Sequence, residues 1–167
     1  EKRSVSTPQT EGVVRGAQEG FTENLRTNVT LIRRIIKNKD LTTEFLKIGA
    51  RNHNQCAVMY INGLINPVIV EEIKRRINGL DTDFIAGNGV LEQFIEENPR
   101  SIIPTIMSTE RPDRAASHLI EGKAVIIAEG TPFALVAPVT LATMFHTPED
   151  TNLRWQYGML LRFIRIL

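Results

Sequence analysis

The chain has 167 residues, of which 42% are hydrophobic and 23% charged, so it has enough apolar content for a real core and fits one ordinary domain or two small lobes. A formal net charge of +1 gives no bulk attraction to nucleic acid, and the single cysteine, Cys56, excludes both a disulfide framework and a cysteine-based zinc site. No run approaches the roughly 18 apolar residues of a membrane span, and Glu1-Lys2-Arg3 leads into polar residues rather than the apolar core of a signal peptide.

Residues 1–20 read as extended or looped, punctuated by Gly12, Gly16 and Gly20. Helical signals begin near Thr22: Phe21, Leu25, Val29, Ile32 and Ile36 recur at spacings of three and four and form one apolar stripe. Glu23 is placed in the first turn and Arg33, Arg34 and Lys37 in the last, each sign suited to the helix dipole. Two strands follow over residues 41–49 and 55–61. Asn66 then caps a helix with Pro67 at its first position, where the missing N–H costs nothing. Val70, Ile73 and Ile77 face inward, Glu71–Arg75 and Glu72–Arg76 stand four apart, and Gly79 ends the helix.

Residues 81–85 suggest a short strand and 89–96 a short helix stopped by Asn98-Pro99. Residues 102–107 suggest a strand that Pro104 confines to an edge. Thr109 is placed as the cap of a helix running to Glu121, with Pro112 in its first turn and Gly122 beyond its end. Residues 123–128 and 133–137 form a hairpin around Glu129-Gly130-Thr131-Pro132, and a last helix starts at Thr147-Pro148-Glu149-Asp150. Helices and strands of this order define an α/β or α+β fold with small mixed sheets flanked by helices. The organisation expected is an extended segment plus helix over 1–40, an α/β lobe over 41–147 and a C-terminal helix over 148–167.

Catalytic chemistry has no anchor in this sequence. His53, His118 and His146 lack metal-ligand spacing, Cys56 has no base nearby, and no nucleophile elbow occurs. The three glycines at intervals of four lack the Lys-Ser/Thr of a phosphate loop. No metal, cofactor or catalytic residue is therefore assigned. The arginines say more. Arg26 and Arg33 are seven apart, hence on one face of the first helix, and with Arg15 and Glu19 upstream they form candidate contacts for a ligand or a neighbouring subunit. Arg111 and Asp113 make a second charged turn at a helix N-terminus, where either an anion sits or Asp113 pairs with Arg111 or Arg114. The tail over 153–167 carries Trp155, Tyr157 and Phe163 among Arg154, Arg162 and Arg165, the composition of a helix at a water–lipid boundary.

Several stretches carry a family likeness: Thr7-Pro8, Thr10-Glu11, Val14-Arg15-Gly16, Glu19-Gly20-Phe21-Thr22-Glu23, Leu25-Arg26-Thr27-Asn28 and Leu31-Ile32-Arg33-Arg34. It continues in Tyr60-Ile61-Asn62-Gly63-Leu64, Val70-Glu71-Glu72-Ile73, Thr109-Glu110-Arg111-Pro112-Asp113, Leu119-Ile120-Glu121-Gly122, Gly130-Thr131-Pro132-Phe133 and Pro148-Glu149-Asp150. In these residues the chain resembles the N-terminal soluble domain of the A subunit of GerA-type spore germinant receptors. The resemblance implies a two-lobed α/β domain, its first lobe incomplete here, that precedes a membrane region and sits on the cytosolic side of the spore inner membrane. It implies a signalling and assembly role in nutrient-triggered germination, with a transporter-like B subunit, a lipoprotein C subunit and further A subunits as partners. A sensor domain binding an anionic small molecule between lobes is the alternative.

Overall fold

The computed structural model describes residues 19–48, 54–80 and 106–139. Arg15, the strand expected at 81–85, the helix at 89–96, the start of the strand at 102–107 and the helix from Thr147 lie outside the described residues. The elements are α1 (Leu25–Ile35), β1 (Leu41–Ile48), β2 (Asn54–Ile61), α2 (Pro67–Asn78), β3 (Met107–Thr109), α3 (Pro112–Ile120), β4 (Ala124–Ala128) and β5 (Ala134–Ala137).

The strands form one five-stranded sheet in the order β1-β2-β4-β5-β3, antiparallel in every ladder. Its register explains the sequence pattern. In β2, Cys56 through Ile61 are all buried, as are all residues of β4 and β5. Continuous burial requires cover on both faces of a sheet. Ala57, Met59, Val125, Ile127, Ala134 and Val136 join Leu25, Ile32, Ala115 and Leu119 in one core beneath α1 and α3. Val58, Ile126 and Leu135 join Val70, Ile73 and Ile77 in a second core beneath α2. Each fully buried Leu, Ile or Val contributes roughly 1.5–3 kcal/mol over its exposed state.

The expected stripe of α1 is the buried one: Phe21, Leu25, Val29, Ile32 and Ile36 all lie in the core. The helix nonetheless begins later than Thr22. Asn24 is the cap, its side chain accepting from Thr27 N–H, and Glu23 precedes the first turn. Thr22 is held instead by Asn28, which is completely buried: Asn28 Oδ1 accepts from Thr22 N–H (2.8 Å) and Thr22 Oγ1 (3.2 Å), and Asn28 Nδ2 donates to Thr22 O (2.5 Å). This clip fixes the chain entering α1. Phe21 N–H then donates to Glu110 O (2.9 Å), tying the same segment to the turn before α3.

In α2, Asn66 caps with Pro67 behind it as expected, its side chain accepting from Val68 N–H. Gly79 caps the other end in right-handed conformation (φ −82), donating back to Arg75 O and Arg76 O. Glu72 pairs with Arg76 and with Arg75, whereas Glu71 pairs with Lys74 rather than Arg75. Arg111, not Thr109, occupies the cap position of α3 and supplies no side-chain cap; Thr109 Oγ1 accepts from Arg111 N–H inside the turn instead. Gly122 follows α3 at φ +82, a left-handed conformation that glycine adopts without a Cβ penalty.

Candidate functional surface

Helix α1 lies over β2 and β4 and leaves one flank of the sheet bare. The register Leu41↔Ile61, Thr43↔Met59, Phe45↔Ala57 and Lys47↔Gln55 puts Thr43, Phe45 and Lys47 on the face that α1 covers farther in. Met59 and Ala57 are fully buried, yet Phe45 is 55% exposed and Lys47 is exposed, so no element among the described residues covers this face of β1 beyond Thr43. Arg33 reaches down from α1 and donates to Thr43 Oγ1 (3.1 Å). Arg26, two turns earlier and about 10 Å along the axis, is exposed, and its guanidinium has no hydrogen-bond or ion-pair partner among the described residues, only its backbone carbonyl accepting from Thr30 Oγ1. The result is a strip carrying one exposed aromatic ring, Phe45, between cations from two elements.

The strip opens at its Arg26 end into a cleft of about 280 Å³ lined by Asn24, Arg26, Asn54, Gln55 and Glu129. This is the hairpin end of the sheet. Glu129 Oε2 accepts from Leu25 N–H (3.1 Å) and Gly130 N–H donates to Glu23 O (2.8 Å), so the β4–β5 turn is fastened to the start of α1. The carboxylate of Glu129 thus caps the helix and walls the cleft in one position, favoured there by the helix dipole.

The other expected site residues are placed differently. Glu19 pairs with Arg34 on the exposed side of α1. Arg111 is buried and grips Asp113 with both arms of its guanidinium, Nε to Oδ1 at 3.1 Å and one terminal nitrogen to Oδ2 at 2.6 Å. Of the two readings of that turn, the internal pair is the one the geometry favours, since this fork is already filled by a carboxylate.

Two further polar clusters are structural in form. On the α2 side, Tyr60 donates to Glu44 and Lys74 Nζ lies 2.9 Å from Glu44 Oε1; the hydroxyl and the ammonium hold the Glu44 carboxyl below its ordinary value, and the carboxylate pushes Tyr60 up. On α3, His118 is buried, its Nδ1 3.1 Å from Glu121 Oε2 and 3.2 Å from Lys123 Nζ, and its Nε2 has no hydrogen-bond partner among the described residues. Burial lowers the His118 pKa against the opposing pull of Glu121. Cys56 is a fully buried core thiol pushed up to about 12 by desolvation. Among the described residues no group of three His, Cys, Asp or Glu is placed to hold a metal ion, and no helix is long and apolar enough to cross a membrane.

Sequence periodicity alone does not single out Phe45, Lys47 or the cleft. One signal was present: the odd positions of β1, Thr43, Phe45 and Lys47, mix polar and apolar residues, whereas Met59 and Ala57, opposite Thr43 and Phe45, are both apolar. A strand face of that mixed kind is half covered.

Comparison with known proteins places this geometry. A family model described as Bacillus/Clostridium GerA spore germination protein matches residues 1–167. Spore germination protein KA of Bacillus subtilis (strain 168) is 40% identical over 167 residues, 100% of this chain and 31% of that protein. Spore germination protein GerLA of Bacillus cereus is 40% identical over 166 residues, 99% of this chain and 34% of that protein. The chain thus spans about a third of the length of these relatives. Among solved structures, the N-terminal domain of the A subunit of the Bacillus megaterium spore germinant receptor GerK3 superposes with a TM-score of 0.59 at 39% identity, over 73% of this chain and 97% of that one. The chain belongs to the GerA family of Bacillus/Clostridium spore germination proteins.

Proposed function

We propose that the chain is the N-terminal region of a germinant-receptor A subunit and acts as a signalling and assembly domain that helps trigger spore germination. The observation that carries the reading is the α1–β1 strip, where the Arg26 side chain has no partner among the described residues and Phe45 is exposed beside Arg33 and Lys47. Arginine and aromatic side chains are the groups enriched in protein interfaces, and a fixed guanidinium selects a carboxylate on the partner. In this reading the partners are the transporter-like B subunit, the lipoprotein C subunit and further A subunits. The receptor lies in the spore inner membrane with this domain on the cytosolic side. Residues 1–40 join the lobes, 41–147 form this lobe, and the helix over 148–167 carries its movement to the membrane.

The test is Arg26→Glu with Arg33→Glu in the full-length subunit, expressed in spores. Germination in response to nutrient is expected to fail while subunit abundance, measured by immunoblot, stays at the wild-type level. Both side chains are exposed, so the thermal unfolding of the 167-residue chain should be unchanged. Wild-type germination by this variant would refute the assignment.

The cleft supports a second reading, a small-molecule sensor. Arg26 supplies a cation for an anionic group, while Glu129 supplies a carboxylate on the lining of the same cleft, so a zwitterion suits the lining better than a simple anion. Calorimetry with the 167-residue chain decides between them: saturable heat that Arg26→Ala abolishes establishes the sensor, and absence of heat across nutrients leaves the assembly role.

A further inference from the structure

The two ends of the sheet are chemically opposite. At the hairpin end stand Asn24, Arg26, Asn54, Gln55 and Glu129. At the other end the pairs Leu41↔Ile61 and Ala124↔Ala137 bring together the α1–β1 loop, the β2–α2 turn, the α3–β4 turn and the segment leaving β5. These loops are in contact. Asn62 N–H donates to Asp40 O (2.9 Å), and Gly122 is pressed so closely on the β2–α2 turn that a Cβ there would lie 2.9 Å from Leu64 O.

Five large hydrophobic side chains are prominently exposed in the described residues, and four belong to this one end: Ile35 at 44%, Leu64 at 51%, Val68 at 71% and Ile120 at 61%. They come from the end of α1, the β2–α2 turn, the first turn of α2 and the end of α3. Lys37 and Lys39 are exposed in the α1–β1 loop beside them, with no partner among the described residues. Of the nearby acids, Glu121 is engaged by Lys123 and Glu71 by Lys74, which leaves Asp40. Val139, the last described residue, follows β5 at this end, and the sequence after it, residues 140–167, includes Trp155, Tyr157 and Phe163 with Arg154, Arg162 and Arg165.

We propose that this end of the domain rests on an anionic lipid surface, with Leu64, Val68 and Ile120 entering the headgroup boundary and Lys37 and Lys39 facing the lipid phosphates. The side-chain types favour lipid over protein. Protein interfaces are depleted in lysine and draw their energy from Trp, Tyr and Arg, with Leu and Val under-represented. This end has lysines and aliphatic tips set singly on separate loops, whereas the α1–β1 strip has the arginines and the aromatic ring. Aliphatic insertion supplies apolar burial, and each lysine adds an attraction that salt weakens. The inference deepens the membrane placement proposed above and rests on it.

The experiment is co-sedimentation of the 167-residue chain with vesicles made of equal parts phosphatidylglycerol and phosphatidylethanolamine, against phosphatidylcholine vesicles. Wild-type chain should partition onto the anionic vesicles and stay in solution with the neutral ones. Leu64→Asp with Ile120→Asp should lower the partition at least tenfold, and Lys37→Gln with Lys39→Gln about tenfold, with the loss growing as salt is removed. Because the tail over 148–167 is identical in all variants, unchanged partition in both would assign binding to the tail and overturn the inference. No binding by the wild type, or equal binding to neutral vesicles, would also overturn it. So would a dimer in light scattering that the Leu64/Ile120 variant dissolves in the absence of any vesicle binding. Arg26→Glu with Arg33→Glu should bind vesicles like wild type, so a germination failure in spores and a failure of lipid binding are read separately.

Discussion

Removal of the buried clip between Asn28 and Thr22 tests how the entry to α1 is fixed. Asn28→Ala deletes three hydrogen bonds, 2.5 to 3.2 Å long, in a site where Asn28 is fully buried and Thr22 is 8% exposed. The Thr22 N–H and C=O remain buried without partners, and each such group costs about 1–3 kcal/mol. Alanine in mid-helix returns roughly 0.5 kcal/mol through its better helix propensity. The net expected loss is about 1.5–5.5 kcal/mol, which at a urea slope near 2 kcal/mol per molar lowers the unfolding midpoint by roughly 0.8–2.8 M. Thr22→Val is the comparison: it removes only the hydroxyl, with its 3.2 Å bond to Asn28 Oδ1 and its 3.3 Å bond from Asn24 N–H, and keeps the backbone pairs. It should cost no more than about 1.5 kcal/mol. The assay is urea unfolding of the 167-residue chain followed by circular dichroism. A midpoint for Asn28→Ala within about 0.3 M of wild type, or equal losses for the two variants, would refute the claim that the backbone groups of Thr22 depend on this side chain.

Two further outcomes separate neighbouring features of the fold. Gly122→Ala meets both the left-handed penalty at φ +82 and a Cβ contact of 2.9 Å with Leu64 O, whereas Gly130→Ala, at φ +81, meets nothing within 4 Å. In thermal or urea unfolding Gly130→Ala should therefore cost about 1–2 kcal/mol and Gly122→Ala clearly more. His118 sets an acid limb of stability. Its native pKa lies below the unfolded value, chiefly because burial disfavours the imidazolium beside Lys123 and Arg114, with Glu121 opposing. Between the two values the unfolded chain holds more protons, so stability is present above about pH 6.5 and is lost as the pH falls toward the native pKa. Urea midpoints at about pH 7.5 and about pH 5.5 should diverge in wild type and converge in His118→Gln; equal slopes in the two proteins would refute the assignment. The lowered pKa of Glu121, held by Lys123 and His118, acts in the same direction at lower pH, below its ordinary 4.5.

What was legible in the sequence follows from how local each signal was. The α2 helix was readable at both ends because its cap Asn66 adjoins Pro67 and Gly79 directly follows its last turn, and so was the β4–β5 hairpin, whose nearest partners, Ile127 and Ala134, flank the turn at Gly130. The start of α1 was read too early because Thr22 has the chemistry of a cap, but Asn28 uses its backbone and hydroxyl, and the capping falls to Asn24. Thr109 failed as a cap for a related reason: its hydroxyl is turned onto Arg111 N–H. The α/β class was readable, but the sheet order was not, since β5 lies between β4 and β3 and no short-range pattern encodes that insertion. Helical spacing was enough to put Arg26 and Arg33 on one face of α1, and both are exposed there. The cleft was not legible, because Asn24 at the start of α1, Gln55 in β2 and Glu129 in the β4–β5 turn meet only once the sheet is assembled.

The placement of these features also constrains how the domain can relay a signal. Helix α1 runs from the polar cleft to the apolar end, its start fastened by Glu129 and Gly130 and its finish joined by a short loop to β1, whose preceding residue Asp40 accepts from Asn62. Along its length Leu25, Leu31 and Ile32 are nearly or fully buried against a sheet that is packed on both faces. A close-packed body of this kind resists internal sliding, since interiors are bistable rather than continuously deformable. In the assembly role proposed above, a partner that pulled on Arg26 and Arg33 would therefore tilt the domain as a unit, and the displacement would appear at Leu64, Val68 and Ile120. The proposed signal is then a change in how the domain sits on the membrane, and its measurable form is a change in lipid accessibility of a probe at position 120, with amide exchange in β2 and β4 unaltered. Loss of protection in those central strands on partner binding would instead require an internal rearrangement and would defeat the rigid-body account.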